Sequence, residues 1–200
     1  MLIDDTMGLV SWICGSARLR VGLIGGSVTR MNEIETDRLR LRGFTEDDAD
    51  FVLKLVNDEG WLRYIGDRGI RNADQAREYI GRMVSMWEDN DYGAYLVALR
   101  DSGAPIGLAG LFKREGLDYP DVGFALLGEY RGHGYALEAS EAVMRNSWGR
   151  CRLKRIGAIT VQENGASIRL LEKLGMTFEK TVRLPGSDED VELYAVDRAG

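Results

Sequence analysis

The sequence contains few of the residues that build metal centres and disulfide frameworks. Its 200 residues include two cysteines, Cys14 and Cys151, and one histidine, His133. Two cysteines exclude a disulfide-rich scaffold and a cysteine-rich zinc site. A single histidine argues against a histidine-ligated metal centre, and any catalytic triad would have to use that residue. We therefore expect no metal cofactor.

Long hydrophobic runs and an excess of positive charge are also missing. No segment reaches the roughly 18 consecutive apolar residues that a membrane helix needs. The 26 basic residues are outnumbered by 32 acidic ones, which gives a formal charge of −6. This balance argues weakly against a protein that neutralises nucleic-acid phosphates, although it allows a local basic site for a small anionic ligand. We expect neither a membrane nor a nucleic acid as partner.

Residues 1–30 differ in character from the rest of the chain. A signal peptide has its positive charge first and an unbroken apolar run behind it, whereas here acidic residues come first and Arg18 and Arg20 interrupt the apolar stretches. We interpret the segment as a disordered extension or as translated leader from an upstream start codon, and a packed extra strand or helix is the alternative. The working domain is expected to span residues 31–200. Without a targeting signal, the expected location is cytoplasmic.

The hydrophobic pattern after residue 31 predicts one α+β domain on a mixed sheet. Short turns that contain glycine or Asp-Ser-Gly join the three central strands and indicate antiparallel neighbours. The predicted strands are 36–42, 94–99, 105–112, 121–127, 156–161, 176–184 and 191–196. Of the four predicted helices, the first begins at Thr45, and the others run from about residue 72 to Trp87, from about Gly132 to Trp148 and from Asn164 to Leu174. Residues 60–69 are predicted to form a loop.

A glycine-rich turn between a predicted strand and a helix has the properties of a phosphate site. Residues 131–136 read R-G-H-G-Y-A. The first turn of a helix offers free backbone N–H groups and partial positive charge, and glycine lets the backbone approach a pyrophosphate closely. Taken alone, the pattern equally fits a simple tight turn. It is not a P-loop, because no Gly-Lys-Ser/Thr follows. A dinucleotide fingerprint would require a small residue at Leu137 and a parallel βαβ unit.

The turn instead resembles the R-x-x-G-x-A motif that binds acetyl-CoA in the GCN5-related N-acetyltransferases (GNAT family). The stretch 121–139 is similar to the branch that includes the ribosomal-protein N-terminal acetyltransferases. Residues 35–42, E-T-D-R-L-R-L-R, resemble the opening strand of that branch, and residues 164–176 resemble its N-x-x-S…L-x-x-x-G-F segment. The resemblance implies a mixed, mostly antiparallel central sheet with a splayed cofactor-binding strand, flanked by about four helices.

The resemblance also implies acetyl-CoA as co-substrate. Backbone groups of residues 124–127 would contact the pantetheine arm, and the amides of residues 132–136 would hold the pyrophosphate. Asn164 would reach the pantetheine, or serve only as the N-cap of the last helix. His133 would contribute its backbone alone. The implied cofactor-binding residues are Leu126, Leu127, Arg131, Gly132, His133, Gly134, Tyr135, Ala136, Asn164 and Ser167.

The implied chemistry is direct attack of a primary amine on the acetyl thioester in a ternary complex. The tyrosine that protonates the CoA thiolate in many family members falls at Leu171 here, which leaves Ser167 or water as the local proton donor. Asp121 and Glu129 are the candidate bases, acting through water, and their alternative is a solvated strand-end charge. A strand amide near Leu126 would stabilise the oxyanion.

The acceptor would bind between the first two helices and the last hairpin. Trp61, Tyr64, Asp67 and Arg68 lie in the first segment and residues 188–190 in the second. Aromatic and acidic side chains suit a cationic amine, either a protein N-terminus or a small molecule, and ordinary packing is the alternative. A monomer or a homodimer is expected. A non-catalytic acyl-CoA-binding module of the same fold is the alternative function.

Overall fold

The computed structural model describes residues 32–198, so the predicted N-terminal extension lies outside the described residues. Eight strands and five helices make up this part of the chain. The strands are β1 (Ile34–Glu35), β2 (Leu39–Arg42), β3 (Ala94–Leu99), β4 (Pro105–Phe112), β5 (Asp121–Leu126), β6 (Arg155–Thr160), β7 (Thr177–Arg183) and β8 (Asp190–Asp197); the helices are α1 (Ala49–Val56), α2 (Glu59–Tyr64), α3 (Ala73–Asn90), α4 (Tyr135–Arg150) and α5 (Gly165–Lys173).

All eight strands form one sheet in the order β1-β2-β3-β4-β5-β6-β8-β7. Every neighbouring pair is antiparallel except β5 and β6, which are parallel. The mixed, mostly antiparallel sheet predicted from the sequence is thereby confirmed. The predicted first strand is split into a hairpin, because residues 36–38 form the bend between β1 and β2.

One helix occupies a segment that the glycine and aromatic content had indicated as a loop. α2 begins after Asp58, whose side chain accepts a hydrogen bond from the Gly60 N–H at 2.9 Å. This N-cap satisfies one of the free donors of the first turn. The helix also buries Trp61, which is 3% exposed. Capping and burial together outweigh the poor helix propensity of Gly60.

Strand β5 separates from β6 soon after both begin. The only residue pair in register between them is Asp121 with Gly157, next to a hydrogen bond from the Gly157 N–H to the Pro120 carbonyl at 2.9 Å. The remainder of β5 follows β4 as far as Leu126. The splayed strand predicted from the family resemblance is confirmed, and it leaves an opening in the middle of the sheet.

Helices cover both faces of the sheet and bury two apolar clusters. One cluster packs α4 and α5 against the sheet, with Val143 and Leu171 buried, and the other packs α1 and α3, with Val52 and Ile80 buried. Fully burying a side chain of this size contributes about 1.5–3 kcal/mol. Trp87, near the end of α3, is 6% exposed and belongs to the first cluster. Both clusters include residues of β5, and the first also includes residues of β6, so the strands on either side of the opening are packed into the core.

The bend between β1 and β2 is fastened to the first turn of α4 through Glu138. Its carboxylate accepts hydrogen bonds from the Thr36 hydroxyl at 2.6 Å and from the Arg38 backbone N–H at 3.0 Å. It also accepts one from Arg38 Nε at 2.7 Å, while Arg38 Nη1 donates to the His133 carbonyl at 3.0 Å. The opening segment and the glycine-rich turn, about a hundred residues apart in sequence, are thus joined directly.

Replacing Glu138 with glutamine is expected to lower the free energy of unfolding by about 1–3 kcal/mol at neutral pH. Burial alone would raise the pKa of Glu138, but the hydrogen bonds from Thr36 and Arg38 outweigh it and hold that pKa below its usual value. The stabilisation is therefore present at neutral pH and is lost as the pH falls through the lowered pKa. Denaturant titrations of both proteins should show a stability difference that shrinks in acid. A difference that does not change with pH would contradict this assignment.

Candidate active site

A cavity of about 680 Å³ lies at the opening between β5 and β6. The β strands form its floor, the first turns of α4 and α5 line one side, and α2 with α3 lines the other. Of the implied cofactor-binding residues and the candidate bases, those on its wall are Asp121, Leu126, Arg131, Gly132, Gly134, Tyr135, Ala136, Asn164 and Ser167. A cavity of this size is typical of a small-molecule site.

The glycine-rich turn presents a run of unused backbone donors to this cavity. Among the described residues, none accepts a hydrogen bond from the backbone N–H groups of 132–137. α4 begins at Tyr135, three residues later than the sequence suggested, because Gly132 and Gly134 adopt left-handed conformations with φ of 80° and 81°. Successive amides at a helix N-terminus, aided by the helix dipole, form an anion-binding concavity.

Strand β5 turns alternate backbone groups toward the cavity. The Leu127 N–H donates to the Ile106 carbonyl in the β4 direction at 3.0 Å. Because the direction alternates along an antiparallel strand, the N–H groups of Phe124 and Leu126 point to the opposite edge, where β6 has diverged. Leu127 also accepts from the Tyr130 N–H at 3.0 Å, so both of its backbone groups are used within the chain. Leu127 does not line the cavity, and we leave it out of the proposed site.

Arg131 ties the glycine-rich turn to α2 and β5. Its guanidinium forms an ion pair with Asp58, and its Nε–H donates to the Leu126 carbonyl at 3.0 Å. Asp58 also accepts from the N–H groups of Gly60 and Gly128 at 2.9 and 3.1 Å. Burial alone would raise the pKa of Asp58, but the hydrogen bonds from Arg131, Gly128 and Gly60 lower it below its usual value. Asp58 therefore stays ionised and holds Arg131 at the cavity wall.

Asn164 and Ser167 lie at the N-terminal end of α5. Asn164 is the N-cap, because its Oδ1 accepts from the Ser167 N–H at 3.1 Å, and both residues line the cavity. No described residue accepts a hydrogen bond from the Asn164 amide nitrogen or from the Ser167 hydroxyl, so both groups are free to contact a ligand. Leu171, one turn further on, is 1% exposed and packs in the core.

The two candidate bases have different environments. Asp121 is 1% exposed and lines the cavity; its Oδ1 accepts from Arg114 Nε at 2.7 Å, and no described residue donates to its Oδ2. Burial raises the pKa of Asp121 above its usual range, against the opposing effect of Arg114. Glu129 lies outside the cavity and pairs on the surface with Lys54 at 3.0 Å. The structure therefore places Asp121, and not Glu129, at the site.

His133 is exposed and does not line the cavity. Its ring lies 5.9 Å from the ring of Tyr135, and its carbonyl accepts the hydrogen bond from Arg38 described above. The position of His133 outside the cavity wall leaves its backbone as the part that can contribute to the predicted cofactor site.

The acceptor side contains some, but not all, of the residues that the sequence predicted. Trp61, Tyr64 and Arg68 line the cavity as expected. Asp67 is exposed and pairs with Arg71 instead, and Asp190 pairs with Arg183 at 2.8 Å. Asp67 and Asp190 therefore pair on the surface, whereas Glu189 lines the cavity as the sequence predicted.

Sequence reasoning missed Arg114 and Tyr79, which also line this part of the cavity. Arg114 follows β4, whose Phe112 is opposite Asp121 in the register with β5, so the hairpin brings Arg114 to Asp121. Pairing this register from the sequence would have revealed it. Tyr79 gave no separate signal, because it occupies one more apolar-face position of α3.

Two features are absent from residues 32–198, the part of the chain that the structure describes. No helix in that range is long and apolar enough to cross a membrane. Nor does this part of the chain contain a cluster of three or more histidine, cysteine or acidic side chains that could hold a metal ion.

Comparisons with known proteins agree with this geometry. A family model described as an acetyltransferase (GNAT) domain matches residues 38–177. The uncharacterized N-acetyltransferase YoaA of Bacillus subtilis is 27% identical over 168 residues, which cover 82% of this chain and 95% of YoaA. A GNAT-family acetyltransferase structure from Bacillus anthracis is 25% identical, with a TM-score of 0.70 over 83% of this chain and 98% of that one.

A more distant structure has the same fold. RimL, a ribosomal L7/L12 alpha-N-protein acetyltransferase solved in complex with coenzyme A, superposes with a TM-score of 0.72 at 19% identity. The superposition covers 83% of this chain and 98% of RimL.

Proposed function

This chain belongs to the GNAT acetyltransferase family, and from that premise we propose that it transfers an acetyl group from acetyl-CoA to a primary amine. The observation that carries the proposal is the run of unused amides at 132–137, beside a strand that has separated from its neighbour. Free amides at a helix start suit a phosphate, and an exposed strand edge suits an extended chain with amide groups such as pantetheine. The cofactor bound in the RimL structure is consistent with this.

Four sets of groups would hold acetyl-CoA. The amides of 132–136 would bind the pyrophosphate, and Arg131 would keep the turn in place. The exposed backbone edge of β5 at Phe124 would hydrogen-bond the pantetheine arm as an added strand. The Asn164 amide nitrogen would donate to the same arm. The Leu126 N–H, on the cavity edge, would face the negative charge that develops on the acetyl oxygen.

In the proposed reaction the neutral amine attacks the acetyl carbonyl carbon. A C–N bond forms, the C–S bond breaks, and the electron pair leaves with the CoA sulfur. The proton that the amine releases would pass through a water molecule to Oδ2 of Asp121, the carboxylate oxygen to which no described residue donates. Ser167 would supply a hydrogen bond to the departing thiolate, since Leu171 has no proton to give.

A protein N-terminus is a suitable acceptor for this site. Its amine has a reference pKa of about 7.7–8.0, against about 10.4 for lysine. A large fraction is therefore neutral near pH 7.5, and a single carboxylate suffices as base. The ribosomal-protein specificity of RimL is in keeping with an N-terminal amine.

Free-thiol release from acetyl-CoA, measured with a panel of peptides and small amines, tests the proposal. Mass spectrometry of the acceptors should show one added acetyl group on the amine. Tight CoA binding without turnover on any amine would instead indicate an acyl-CoA-binding module. Absence of CoA binding would contradict the assignment of the cavity.

A further inference from the structure

The carboxylate of Asp58 contacts both sides of the cavity. On the acceptor side Asp58 is the N-cap of α2, where its Oδ1 accepts from the Gly60 N–H at 2.9 Å. On the cofactor side its Oδ2 accepts from the Gly128 N–H at 3.1 Å, and the carboxylate forms the ion pair with Arg131. One side chain therefore joins the helix that carries Trp61 to the segment that leads into the glycine-rich turn.

The partners of Asp58 on the cofactor side also bind one another. The Arg131 backbone N–H donates to the Gly128 carbonyl at 3.2 Å, and the Arg131 Nε–H donates to the Leu126 carbonyl at 3.0 Å. The amides of 132–136, which would bind the pyrophosphate, follow Arg131 directly in the chain. Hydrogen bonds that involve a charged group are roughly twice as strong as neutral ones. A change in the turn therefore reaches Asp58 through two strong contacts.

The glycine at position 60 makes room for the Arg131 guanidinium. A Cβ on Gly60 would lie 2.5 Å from Nη1 of Arg131 and 2.6 Å from its Cζ and Nη2. Glycine is a poorer helix former than alanine, and the backbone of Gly60 is helical, so its conformation does not require glycine. The close approach of the guanidinium explains why α2 contains a glycine at this position.

We infer that Asp58 is a positioning residue that couples the two sides of the site, so that cofactor bound at the glycine-rich turn also orders α2. The inference rests on the proposed function for the identity of the cofactor. A bound pyrophosphate would fix the amides of 132–136, and Arg131 would then hold Asp58, the cap of α2, in one position. When one ligand orders groups that a second ligand also needs ordered, the two binding sites are coupled. The acceptor wall at Trp61 and Tyr64 would thus be set once the cofactor is in place.

Amide hydrogen exchange, measured by mass spectrometry with and without saturating CoA, tests this coupling. The Leu62 N–H donates to the Asp58 carbonyl at 3.0 Å, and the Ile65 N–H donates to the Trp61 carbonyl at 2.8 Å. A peptide that covers residues 59–66 therefore reports how well α2 is ordered. In the wild-type protein CoA should slow exchange in this peptide at least about fivefold, the lower end of typical coupling between two sites.

Two substitutions break the link between Asp58 and Arg131 by different means and keep a capped α2. Asp58→Asn removes the charge, and asparagine caps a helix as well as aspartate does. Gly60→Ala displaces the guanidinium, and alanine is the better helix former. In both variants saturating CoA should still slow exchange in a peptide covering 128–137, but exchange in 59–66 should no longer respond to CoA.

Matched controls carry the same changes elsewhere in the chain. Gly81→Ala adds a Cβ in α3 that meets nothing within 4 Å. Asp74→Asn removes an exposed carboxylate that pairs with Arg77 at 2.7 Å. Both controls should keep the wild-type response to CoA. A merely structural role for Asp58 would speed exchange in α2 in Asp58→Asn but leave the slowing by CoA unchanged, and that result would overturn the inference.

Equal exchange in α2 with and without CoA in the wild-type protein would also overturn the inference, whether or not the variants fold. The acceptor screen described above gives a separate result. If CoA slows exchange in α2 through Asp58 but no amine is acetylated, the proposed reaction fails and the coupling stands. If amines are acetylated while CoA leaves α2 unchanged, the reaction stands and the coupling fails.

Discussion

Replacing Gly134 with valine is expected to weaken CoA binding at least about a hundredfold. Gly134 is the N-cap of α4 and has φ of 81°, where a β-branched residue is strained by about 1–3 kcal/mol. An added Cβ would also lie 3.4 Å from Arg38 Nη2. The turn would relax toward negative φ, and its amides would no longer converge on one phosphate. Each lost charge-assisted hydrogen bond costs about 1.5–3 kcal/mol.

Gly103→Val is the matched control for this measurement. Gly103 has φ of 70° in the turn between β3 and β4, and an added Cβ would meet nothing within 4 Å. The substitution imposes the same backbone strain outside the cavity. Isothermal titration with CoA should therefore give a wild-type dissociation constant for Gly103→Val and a much larger one for Gly134→Val. Equal affinities for the two variants would show that the pyrophosphate binds elsewhere.

The glycine-rich turn could be predicted from the sequence because its physical requirements are local. Two glycines between a strand and a helix satisfy the left-handed conformations, and the unpaired amides of a helix start need no distant partner. The succession of strands along the chain and the antiparallel pairing of the three central strands were equally accessible, since alternation and turn residues are short-range signals. The point at which β5 leaves β6 came only from the family resemblance, because no local pattern specifies which strands diverge.

The charged residues on the acceptor side of the cavity could not be predicted from local sequence signals. Asp67 and Asp190 were predicted to bind a cationic ligand because they are acidic, but each forms an ion pair with an arginine on the surface. Arg114 reaches the buried Asp121 only because a hairpin register brings the two together. Contacts between residues far apart in sequence decide which charged side chains line a cavity. Composition alone gives no information about these contacts.

The link through Glu138 shows the same dependence on long-range contacts. In the sequence, the segment E-T-D-R-L-R-L-R served only as part of the family resemblance. No physical reason why these residue types occur there was visible in the sequence. In the structure Thr36 and Arg38 bind Glu138, and Arg38 also holds the His133 carbonyl. These residue types therefore fix the turn that carries the unused amides. Two motifs that were separate in sequence are one structural unit.

Replacing Asp121 with asparagine is expected to lower kcat by about a hundredfold or more, with CoA affinity unchanged. The contribution of a positioned general base is typically about 10²–10⁴ in rate. Asparagine keeps the size of the side chain and an oxygen that accepts from Arg114, but it cannot take a proton from the amine. Steady-state kinetics with a saturating acceptor, beside a CoA titration, measures both quantities. Glu129→Gln provides the comparison, since that side chain pairs with Lys54 outside the cavity.

The pH dependence separates a catalytic role of Asp121 from a structural one. A base must be ionised, and burial raises the pKa of Asp121 above its usual range. The wild-type rate should therefore climb with pH through that raised pKa, at higher pH than for an ordinary aspartate. Asp121→Asn should lose this rising limb. If the variant merely displaced Arg114, its rate would fall by the same factor at every pH. A hundredfold loss in Glu129→Gln with normal rates in Asp121→Asn would reverse the assignment of the base.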